Sequence, residues 1–227
     1  MHIARRLVAE FIGTFALVFV GVAAVGVSPD KGGGLLSVAL AFGLTVAVMV
    51  SATLHISGGQ FNPAVSVALF VTRKMSLHDT LFYVLTQLLA ATAAAGVLQL
   101  MFGGYITYNG TPVPAEPFTP MKALVMEMIL TFILVFVIFG VAVDKRGPNV
   151  MAGLLVGMTV TFDILIGGPY TGGSMNPARS FGPALIGRHW DAHWVYWVGP
   201  LLGGVLAGLV YATLFLPRNN VVVRTER

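Results

Sequence analysis

The sequence predicts an all-α membrane protein with six transmembrane helices and two re-entrant half-helices, arranged as two inverted repeats. Three observations predict this fold. Hydrophobic residues make up 56% of the chain and charged residues only 10%, whereas a soluble domain carries about 25% charged residues. Several segments reach the length of about 20 apolar residues that crosses a bilayer as a helix. A short motif, Ser/Thr-Gly-Gly followed closely by Asn-Pro-Ala, occurs twice.

Two of the apolar segments, 62–72 and 176–186, are too short to cross a bilayer. At about 1.5 Å per residue, each would reach about halfway. Non-helical backbone at membrane depth is tolerated only where protein buries it or water solvates it. We therefore expect these two segments to enter from opposite sides and to meet around an aqueous path. The full spans are predicted over 7–27, 35–54, 80–102, 120–143, 150–168 and 194–216.

Each Asn-Pro-Ala motif has the pattern of a helix start. Asparagine is a strong N-cap residue because its side-chain oxygen accepts a backbone N–H, and proline suits the next position because its missing N–H has no partner there anyway. Glycines upstream permit a tight backbone with exposed carbonyl groups. The two motifs are Asn62-Pro63-Ala64 and Asn176-Pro177-Ala178. The carbonyl groups expected to line the path belong to Gly58, Gly59, Gln60, Gly172 and Ser174.

The two halves of the chain, about 1–102 and 120–216, repeat each other. Glu10 and Glu127 occupy equivalent positions, and the apolar residues that follow them match closely. Each half contains three spans, an odd number, so the halves are inserted upside down relative to each other. Inverted repeats place a site near the midplane, with half-helix N-termini pointing at it. We expect one channel-like domain over 1–227, in which 217–227 form a cytoplasmic tail.

Basic residues predict the orientation, because cytoplasmic loops are enriched in lysine and arginine. With the N-terminus inside, the outer segments carry only Lys31, Lys122 and Arg188, and Arg179 lies in the second re-entrant segment. We therefore expect both termini in the cytoplasm, the longest loop, about 103–119, outside, and the plasma membrane as the location. The inner segments carry Arg5, Arg6, Arg73, Lys74, Lys145, Arg146, Arg218, Arg224 and Arg227.

Other function classes find little support in the sequence. The chain has no cysteine, so disulfides and thiolate chemistry are excluded. Its net charge of +4 comes from loops beside spans and does not indicate a nucleic-acid partner. The sequence contains no recognisable nucleophile–base pair and no phosphate-binding loop. We expect no enzymatic activity, no metal and no cofactor.

The stretches GGQFNPAVS and GGSMNPARSFGPA resemble the aquaporin family, the major intrinsic proteins, and the resemblance covers essentially the whole chain. It implies a homotetramer with one water-conducting pore in each subunit. It also implies a pore constriction, the selectivity filter, formed by four residues, and a structural role for Glu10 and Glu127 as acceptors of backbone N–H groups from the re-entrant loops. The filter residues carried over by the resemblance are Phe42, Ile164, Gly173 and Arg179.

This filter departs from the water-selective pattern of the family, which most often has histidine at the position of Ile164. An isoleucine makes the filter less polar, and Gly173 adds no side chain to it. Gly167-Gly168-Pro169 is similar to the nodulin-type branch, whose members pass small neutral solutes. The downstream positions instead resemble water channels: Ser180, Ala184, Tyr196 and Trp197. Gln60 stands where many relatives have histidine, so the pH gating attributed to that histidine does not transfer.

Alternative roles remain open for several of these residues. The two asparagines could be helix caps only, and Arg179 could belong to a structural ion pair. Glu10 and Glu127 could be interfacial carboxylates near span ends. Asp163 has no counterpart in the first half, and we expect it to make an interhelical hydrogen bond rather than to act as an acid facing the pore.

The expected function is a passive channel that conducts water, with small uncharged solutes as additional permeants, and that excludes protons and ions. One alternative is a facilitator mainly for small neutral solutes such as glycerol, ammonia or metalloid acids. More remote alternatives are a secondary transporter, because inverted repeats and broken helices suit that class as well, and a structural junction protein that retains the fold. The partners are then the lipid bilayer, water and small neutral solutes.

Overall fold

The computed structural model describes residues 2–31 and 33–217, with the backbone alone for 27–31. Within this part of the chain, six helices are long and apolar enough to cross a membrane, in agreement with the predicted spans. They are α1 (Ile3–Lys31), α2 (Gly34–Ser57), α4 (Leu77–Phe102), α6 (Pro120–Ile138), α7 (Ala152–Thr171) and α9 (Val195–Leu214). The predicted tail, apart from Pro217, lies outside the described residues, as do Arg218, Arg224 and Arg227.

The two predicted half-helices are present as α3 (Pro63–Val71) and α8 (Pro177–Gly187). Each begins directly after its asparagine, as the capping pattern predicted. The Oδ1 atom of Asn62 accepts the backbone N–H of Ala64 at 2.9 Å. The Oδ1 atom of Asn176 accepts those of Ala178 at 3.0 Å and Arg179 at 3.2 Å. The N-terminus of each half-helix is therefore held by its own cap.

The exposed faces of the long helices are apolar. Leu44 and Val48 on α2 and Met158 and Ile166 on α7 are among the exposed large hydrophobic side chains. A soluble monomer rarely exposes a contiguous apolar surface of this extent. With six membrane-length helices, these faces identify an integral, multi-pass membrane protein.

The segment predicted as the long outer loop contains a further helix, α5 (Gly104–Gly110). Gly103 ends α4 with a φ of 89°, a left-handed conformation that glycine adopts without strain. The Thr107 hydroxyl then donates to the Gln99 side chain at 3.0 Å. Ile106 is fully buried and packs in a cluster with Val18 and Val22 of α1. The sequence did not reveal α5 because this packing, rather than local periodicity, stabilises so short a helix.

The end of α6 changes to a π-helix over Phe139–Val143. The turn that follows is closed by Arg146, whose Nε and Nη2 atoms donate to the Asp144 carboxylate at 2.9 and 2.6 Å. The neighbouring guanidinium lowers the pKa of Asp144 to about 2. The chain then enters α7 through a 3₁₀ turn, Asn149–Met151. Because the pKa of Asp144 is lowered, its ion pair with Arg146 stabilises the turn at every pH above the ordinary pKa of an aspartate. The ion pair is lost only in strong acid.

Small residues set how closely the helices approach. A Cβ atom at Gly203 would collide with the Met128 carbonyl of α6, and one at Gly204 would lie 3.0 Å from the Ala64 carbonyl of α3. These two adjacent glycines of α9 therefore face different neighbours. On the other side of the molecule, a Cβ atom at Gly182 of α8 would collide with the Ala91 backbone of α4. Helix α3 thus packs against α9, the last span of the second repeat, and α8 packs against α4, the last span of the first repeat. These contacts hold both half-helices at the centre of the molecule.

Candidate functional site

The asparagines that begin the two half-helices meet at the centre of the molecule and bind each other's loop. The Nδ2 atom of Asn62 donates to the Met175 carbonyl at 2.8 Å, and that of Asn176 donates to the Phe61 carbonyl at 2.8 Å. One N–H of each amide group is used in this way. The structure leaves the other N–H of each amide for a further acceptor.

The backbone before each asparagine is bent in the same way. Phe61 and Met175 have φ values of 50° and 53°, in the left-handed region that side chains rarely adopt. The glycine pairs that precede them also have positive φ, which glycine allows without strain. This bend places the carbonyl groups of Phe61 and Met175 opposite the two asparagine amides, so the strain is balanced by cross-loop hydrogen bonds.

Glu10 and Glu127 accept hydrogen bonds from the two loops in matching patterns. Glu10 accepts the backbone N–H groups of Gln60 at 2.9 Å and Phe61 at 2.7 Å. Glu127 accepts those of Ser174 at 2.9 Å and Met175 at 2.7 Å. A side-chain hydroxyl, from Ser57 or Thr171, donates to each carboxylate at 2.7 Å. Glu10 also accepts the Gln87 side-chain amide at 2.9 Å. Both carboxylates are fully buried, which is compatible with a membrane interior only because their oxygens are hydrogen-bonded.

Two tyrosines hold the loop entrances. The hydroxyl of Tyr83 donates to the Ser57 carbonyl at 2.9 Å, and that of Tyr196 donates to the Thr171 carbonyl at 2.8 Å. On the Tyr83 side, Arg6 adds a hydrogen bond from its Nε atom to the tyrosine hydroxyl at 2.8 Å. Each loop is therefore held by a tyrosine hydroxyl. Among the described residues, only Tyr83 also accepts a hydrogen bond from an arginine.

A cavity of about 230 Å³ passes between the two half-helices. Asn62 and Asn176 lie on its wall, together with Gly58, Gly59, Gln60 and Ser174. Gly172 does not line this cavity and lies instead on an outer cavity of about 610 Å³. The remaining wall is mostly apolar and is formed by Val46, Val50, Leu54, Leu69, Leu134, Ile138 and Val160, among other residues. The sequence-predicted residues are thus brought to one cavity, apart from Gly172.

Phe42, Ile164, Gly173 and Arg179 lie together on the wall of the main cavity. The Arg179 guanidinium carbon lies 5.0 Å from the centre of the Phe42 ring. Ile164 and Arg179 also line the outer cavity, so these two residues stand at the boundary between the cavities. A side chain at Gly173 would also press on the backbone of α7, because its Cβ atom would lie 3.2 Å from the Ile164 Cα atom.

Arg179 is almost completely buried, with 3% of its surface exposed. Its Nη1 atom donates to the Gly110 carbonyl at the end of α5, at 2.7 Å. The ion pairs found among the described residues do not include Arg179. The alternative of a structural ion pair at Arg179 is therefore not supported, and its guanidinium faces the cavity boundary with a backbone carbonyl as its partner.

Gln60 and Ser174, which precede the two asparagines, differ in their side-chain contacts. The Gln60 side chain accepts the Ser66 hydroxyl at 2.6 Å and donates to the Met75 sulfur at 3.6 Å. Ser174 instead forms a short hydroxyl–hydroxyl hydrogen bond with Ser180. The two ends of the cavity therefore differ chemically although the loops that form them repeat.

Asp163 does not behave as expected. Only 1% of its surface is exposed, its Oδ2 atom has no hydrogen-bond partner, and it does not line the main cavity. The prediction of an interhelical hydrogen bond is therefore wrong for this oxygen, and so is the alternative of a pore-facing acid. The face of α7 that carries Asp163 also carries Gly167, whose Cβ atom would collide with Leu130 of α6.

The roles of several residues of this site were not identified from the sequence. The carbonyl groups of Phe61 and Met175 could have been found, because both residues directly precede a repeated asparagine. Tyr83 and Tyr196 also follow their motifs at nearly equal spacing. No pattern in the sequence indicates that the Gly110 carbonyl is the partner of Arg179.

The structure combines six membrane-length helices with two half-helices that meet at the wall of one cavity. This architecture defines a helical membrane pore protein. A model of the major intrinsic protein family matches residues 1–211. The chain belongs to the major intrinsic protein family, which is the family its motifs resemble.

Relatives and a solved structure agree with this assignment. Aquaporin TIP4-4 of Zea mays is 47% identical over 226 residues, which cover 95% of this chain and 88% of that protein. Aquaporin NIP1-1 of Oryza sativa subsp. japonica is 45% identical over 209 residues, which cover 91% of this chain and 73% of that protein. The X-ray structure of the aquaglyceroporin from Plasmodium falciparum matches with a TM-score of 0.86 at 26% identity, covering 94% of this chain and 97% of that one.

Proposed function

We propose that the protein is a passive channel, not an enzyme, which conducts water through the cavity between α3 and α8 and passes small uncharged solutes more slowly. The observation that carries this proposal is the meeting of two half-helix N-termini at Asn62 and Asn176 on the wall of one cavity. The names of its relatives, aquaporins and an aquaglyceroporin, support water and glycerol as the solutes to test first.

Exclusion of ions follows from the charges that face the cavity. Each half-helix N-terminus carries a partial positive charge of about half an elementary charge. The free amide N–H of Asn62 and of Asn176 donates to the oxygen of a passing water, which orients that molecule away from its neighbours. Water in single file is then oriented oppositely on either side of the asparagines, so proton hopping is interrupted. Arg179 adds a permanent cation at the outer end, where it repels cations.

Selectivity among neutral solutes is assigned to Phe42, Ile164, Gly173 and Arg179. Arg179 and backbone groups hydrogen-bond the solute, and Phe42 and Ile164 form the apolar wall. A small polyol or ammonia can lay its apolar side against Ile164. Since one methylene-sized change in an apolar wall discriminates by only about 1–3 kcal/mol, water remains the main solute and slow passage of ammonia and glycerol follows. Tyr196 and Trp197, which resemble the residues of water channels at these positions, favour ammonia over glycerol.

The arrangement in the membrane is also part of the proposal. The chain forms one channel domain from the halves 1–102 and 120–216. Both of its ends lie in the cytoplasm, and it is a homotetramer in the plasma membrane. On intact cells, a membrane-impermeant amine reagent should label Lys122 and leave Lys74 and Lys145 unlabelled. Native mass spectrometry in mild detergent should give four copies of the 24.0 kDa chain.

Stopped-flow light scattering on proteoliposomes tests the function directly. Reconstituted protein should speed osmotic shrinkage with a low activation energy, and ammonia and glycerol should enter more slowly than water. Permeability equal to that of empty liposomes, with folding confirmed by circular dichroism, would contradict the proposal.

A coupled transporter is the main alternative of another class, and it would need ion ligands or a proton-relay acid such as Asp163 at the cavity. Asp163 does not line the main cavity, and no cluster of three or more acidic, histidine or cysteine side chains that could hold an ion occurs within the described residues. Passive conduction therefore fits the site better. Water flux that stays independent of ion and pH gradients would separate the two.

A further inference from the structure

The main cavity has an inner half that lies away from the filter arginine. Helix α2 begins beside the outer cavity, which Leu35 lines, and ends at Ser57. Gln60 closely follows this end and lines the main cavity. Arg179 instead stands at the boundary with the outer cavity. Gln60 therefore lies on the half of the cavity wall away from Arg179, which we call the inner half.

Gln60 provides the side-chain donor of this inner half. Among the described residues on the wall of the main cavity, the side chains that carry an N–H or O–H group are those of Gln60, Asn62, Ser174, Asn176 and Arg179. The two asparagines lie at the centre, and Arg179 lies at the outer end. The Ser174 hydroxyl is used inside the protein, because it contacts the Asn176 carbonyl at 3.0 Å and the Ser180 hydroxyl. A solute in the inner half therefore meets the amide of Gln60.

The orientation of the Gln60 amide follows from its two neighbours. Its Oε1 atom accepts the hydroxyl of Ser66 at 2.6 Å, and its Nε2 atom donates to the sulfur of Met75 at 3.6 Å. A thioether sulfur is a weak acceptor and has no proton to donate. Only the NH2 end of the amide suits this neighbour, so the carbonyl end faces Ser66.

The carbonyl end of Gln60 is held by a buried chain of hydrogen bonds. Ser66 and Gln87 are fully buried. Gln87 donates from Nε2 to the Ser66 oxygen at 3.2 Å and to the Glu10 carboxylate at 2.9 Å. The Ser66 hydroxyl has one proton, and its contact with Gln60 Oε1 at 2.6 Å is shorter than that with the Asn62 carbonyl at 3.3 Å. The Ser66 proton therefore fixes the carbonyl end of Gln60 inside the protein.

The NH2 end of Gln60 lies on the accessible side. Gln60 and Met75 are half-buried, and a Cβ atom built on Gly58 would lie 3.7 Å from Nε2. Gly58 is itself exposed and lines the main cavity. An amide nitrogen has two N–H groups, and the weak contact with Met75 uses one of them. The second N–H is left for an acceptor in the cavity.

We propose that Gln60 is a specificity-determining residue of the pore, which donates from Nε2 to the oxygen of a neutral solute in the inner half, and that Ser66 is its positioning residue. This inference rests on the proposed function as a channel for water and small neutral solutes. Leu54 and Leu69 line the cavity as well and offer a solute no hydrogen bond. The donor therefore favours a solute with a strong acceptor, such as the carbonyl oxygen of urea, over one with hydroxyl oxygens alone, such as glycerol.

Replacing Gln60 with methionine tests the donor, because methionine has a similar length and no N–H group. The urea-to-glycerol permeability ratio, measured by stopped-flow light scattering on proteoliposomes, should fall by about two- to tenfold, which corresponds to the loss of one hydrogen bond. A merely narrower cavity would slow glycerol, the larger solute, more than urea and would raise the ratio. Gln99→Met is the matched control, since Gln99 is exposed and lines neither cavity. Its partner Thr107 keeps the Gly104 carbonyl as an acceptor.

Replacing Ser66 with alanine tests the positioning role and decides the matter if Gln60→Met does not fold. Without the Ser66 hydroxyl the amide of Gln60 can turn, so the ratio should fall in the same direction but by less. In the double variant, Ser66→Ala should lower the ratio no further than Gln60→Met does, because its effect passes through Gln60. A further fall of full size in the double variant would overturn the positioning role of Ser66.

The outcomes distinguish this inference from the channel proposal. Water permeability no higher than that of empty liposomes overturns the channel proposal and the inference with it. Rapid water flux with an equal or higher urea-to-glycerol ratio in Gln60→Met overturns the inference alone, as does an unchanged ratio in Ser66→Ala. A wild type that passes water but neither urea nor glycerol overturns it as well, since Gln60 then selects between no solutes. A fall of equal size in Gln99→Met has the same consequence.

Discussion

Asn62 and Asn176 each use one amide hydrogen to hold the other's loop: their Nδ2 atoms donate at 2.8 Å to the carbonyl groups of Met175 and Phe61. Each Oδ1 atom meanwhile caps its own half-helix. One side chain thus connects its own helix, the opposite loop and the cavity. Each asparagine is therefore held by contacts to both halves of the chain.

Replacing Asn62 with aspartate separates capping from donation. Aspartate caps a helix as well as asparagine does, so α3 should still begin at residue 63. The carboxylate cannot donate to the Met175 carbonyl, which should cost about 1–3 kcal/mol of stability. Its negative charge also offsets the two helix N-termini, so proton leak should appear in a fluorescence assay under a pH gradient. Asn176→Asp is the symmetric counterpart, and unchanged water flux and proton exclusion in both variants would reduce the asparagines to caps.

Removing the guanidinium of Arg179 should make the channel leak cations or protons. At contact distance a unit charge repels another by about 4 kcal/mol for an effective dielectric constant of about 20. Arg179→Val should therefore raise proton or sodium conductance well over about tenfold, while water flux persists. Lys122→Val, which removes an exposed basic side chain outside the cavity, is the matched control. If the two variants leak equally little, Arg179 is not the barrier to cations.

Changing Ile164 to histidine should restore the polar side of the constriction. The expected result is a fall in the ammonia-to-water and glycerol-to-water ratios, with water flux within a few-fold of wild type, because one apolar wall discriminates by about 1–3 kcal/mol. Ile166→His is the control on the same helix, since Ile166 is 60% exposed on the outer surface. A wild type that already excludes every neutral solute, or equal ratios in Ile164→His and wild type, would place the selectivity position elsewhere.

Asp163 should be dispensable for conduction. Its Oδ2 atom is buried without a hydrogen-bond partner, and such a group costs about 1–3 kcal/mol in protein mutational data. Asp163→Leu should raise the melting temperature in detergent and leave water flux unchanged. Asp163→Asn, which keeps the polarity and the shape, should gain much less. Loss of flux in the leucine variant, with the fold intact, would give Asp163 a part in transport after all.

The sequence alone determined the elements that depend on contiguous residues. The apolar length of each span, the asparagine and proline that begin α3 and α8, and the repeat that pairs Glu10 with Glu127 are all local features. Burial in a membrane requires about 20 apolar residues, and a cap requires one side chain next to a helix start. These elements were therefore predicted within a few residues, and the family they resemble is the family to which the chain belongs.

The tertiary structure alone decided which distant groups meet. The partner of Arg179 is a backbone carbonyl at Gly110, which carries no side-chain signal. Helix α5 forms because Ile106 finds a buried cluster, and the Oδ2 atom of Asp163 is buried where no donor reaches it. A hydrogen bond exists only within about 3 Å of its acceptor. The distance between two groups far apart in the chain is set by the packing of every helix between them. A local sequence pattern carries no information about that distance.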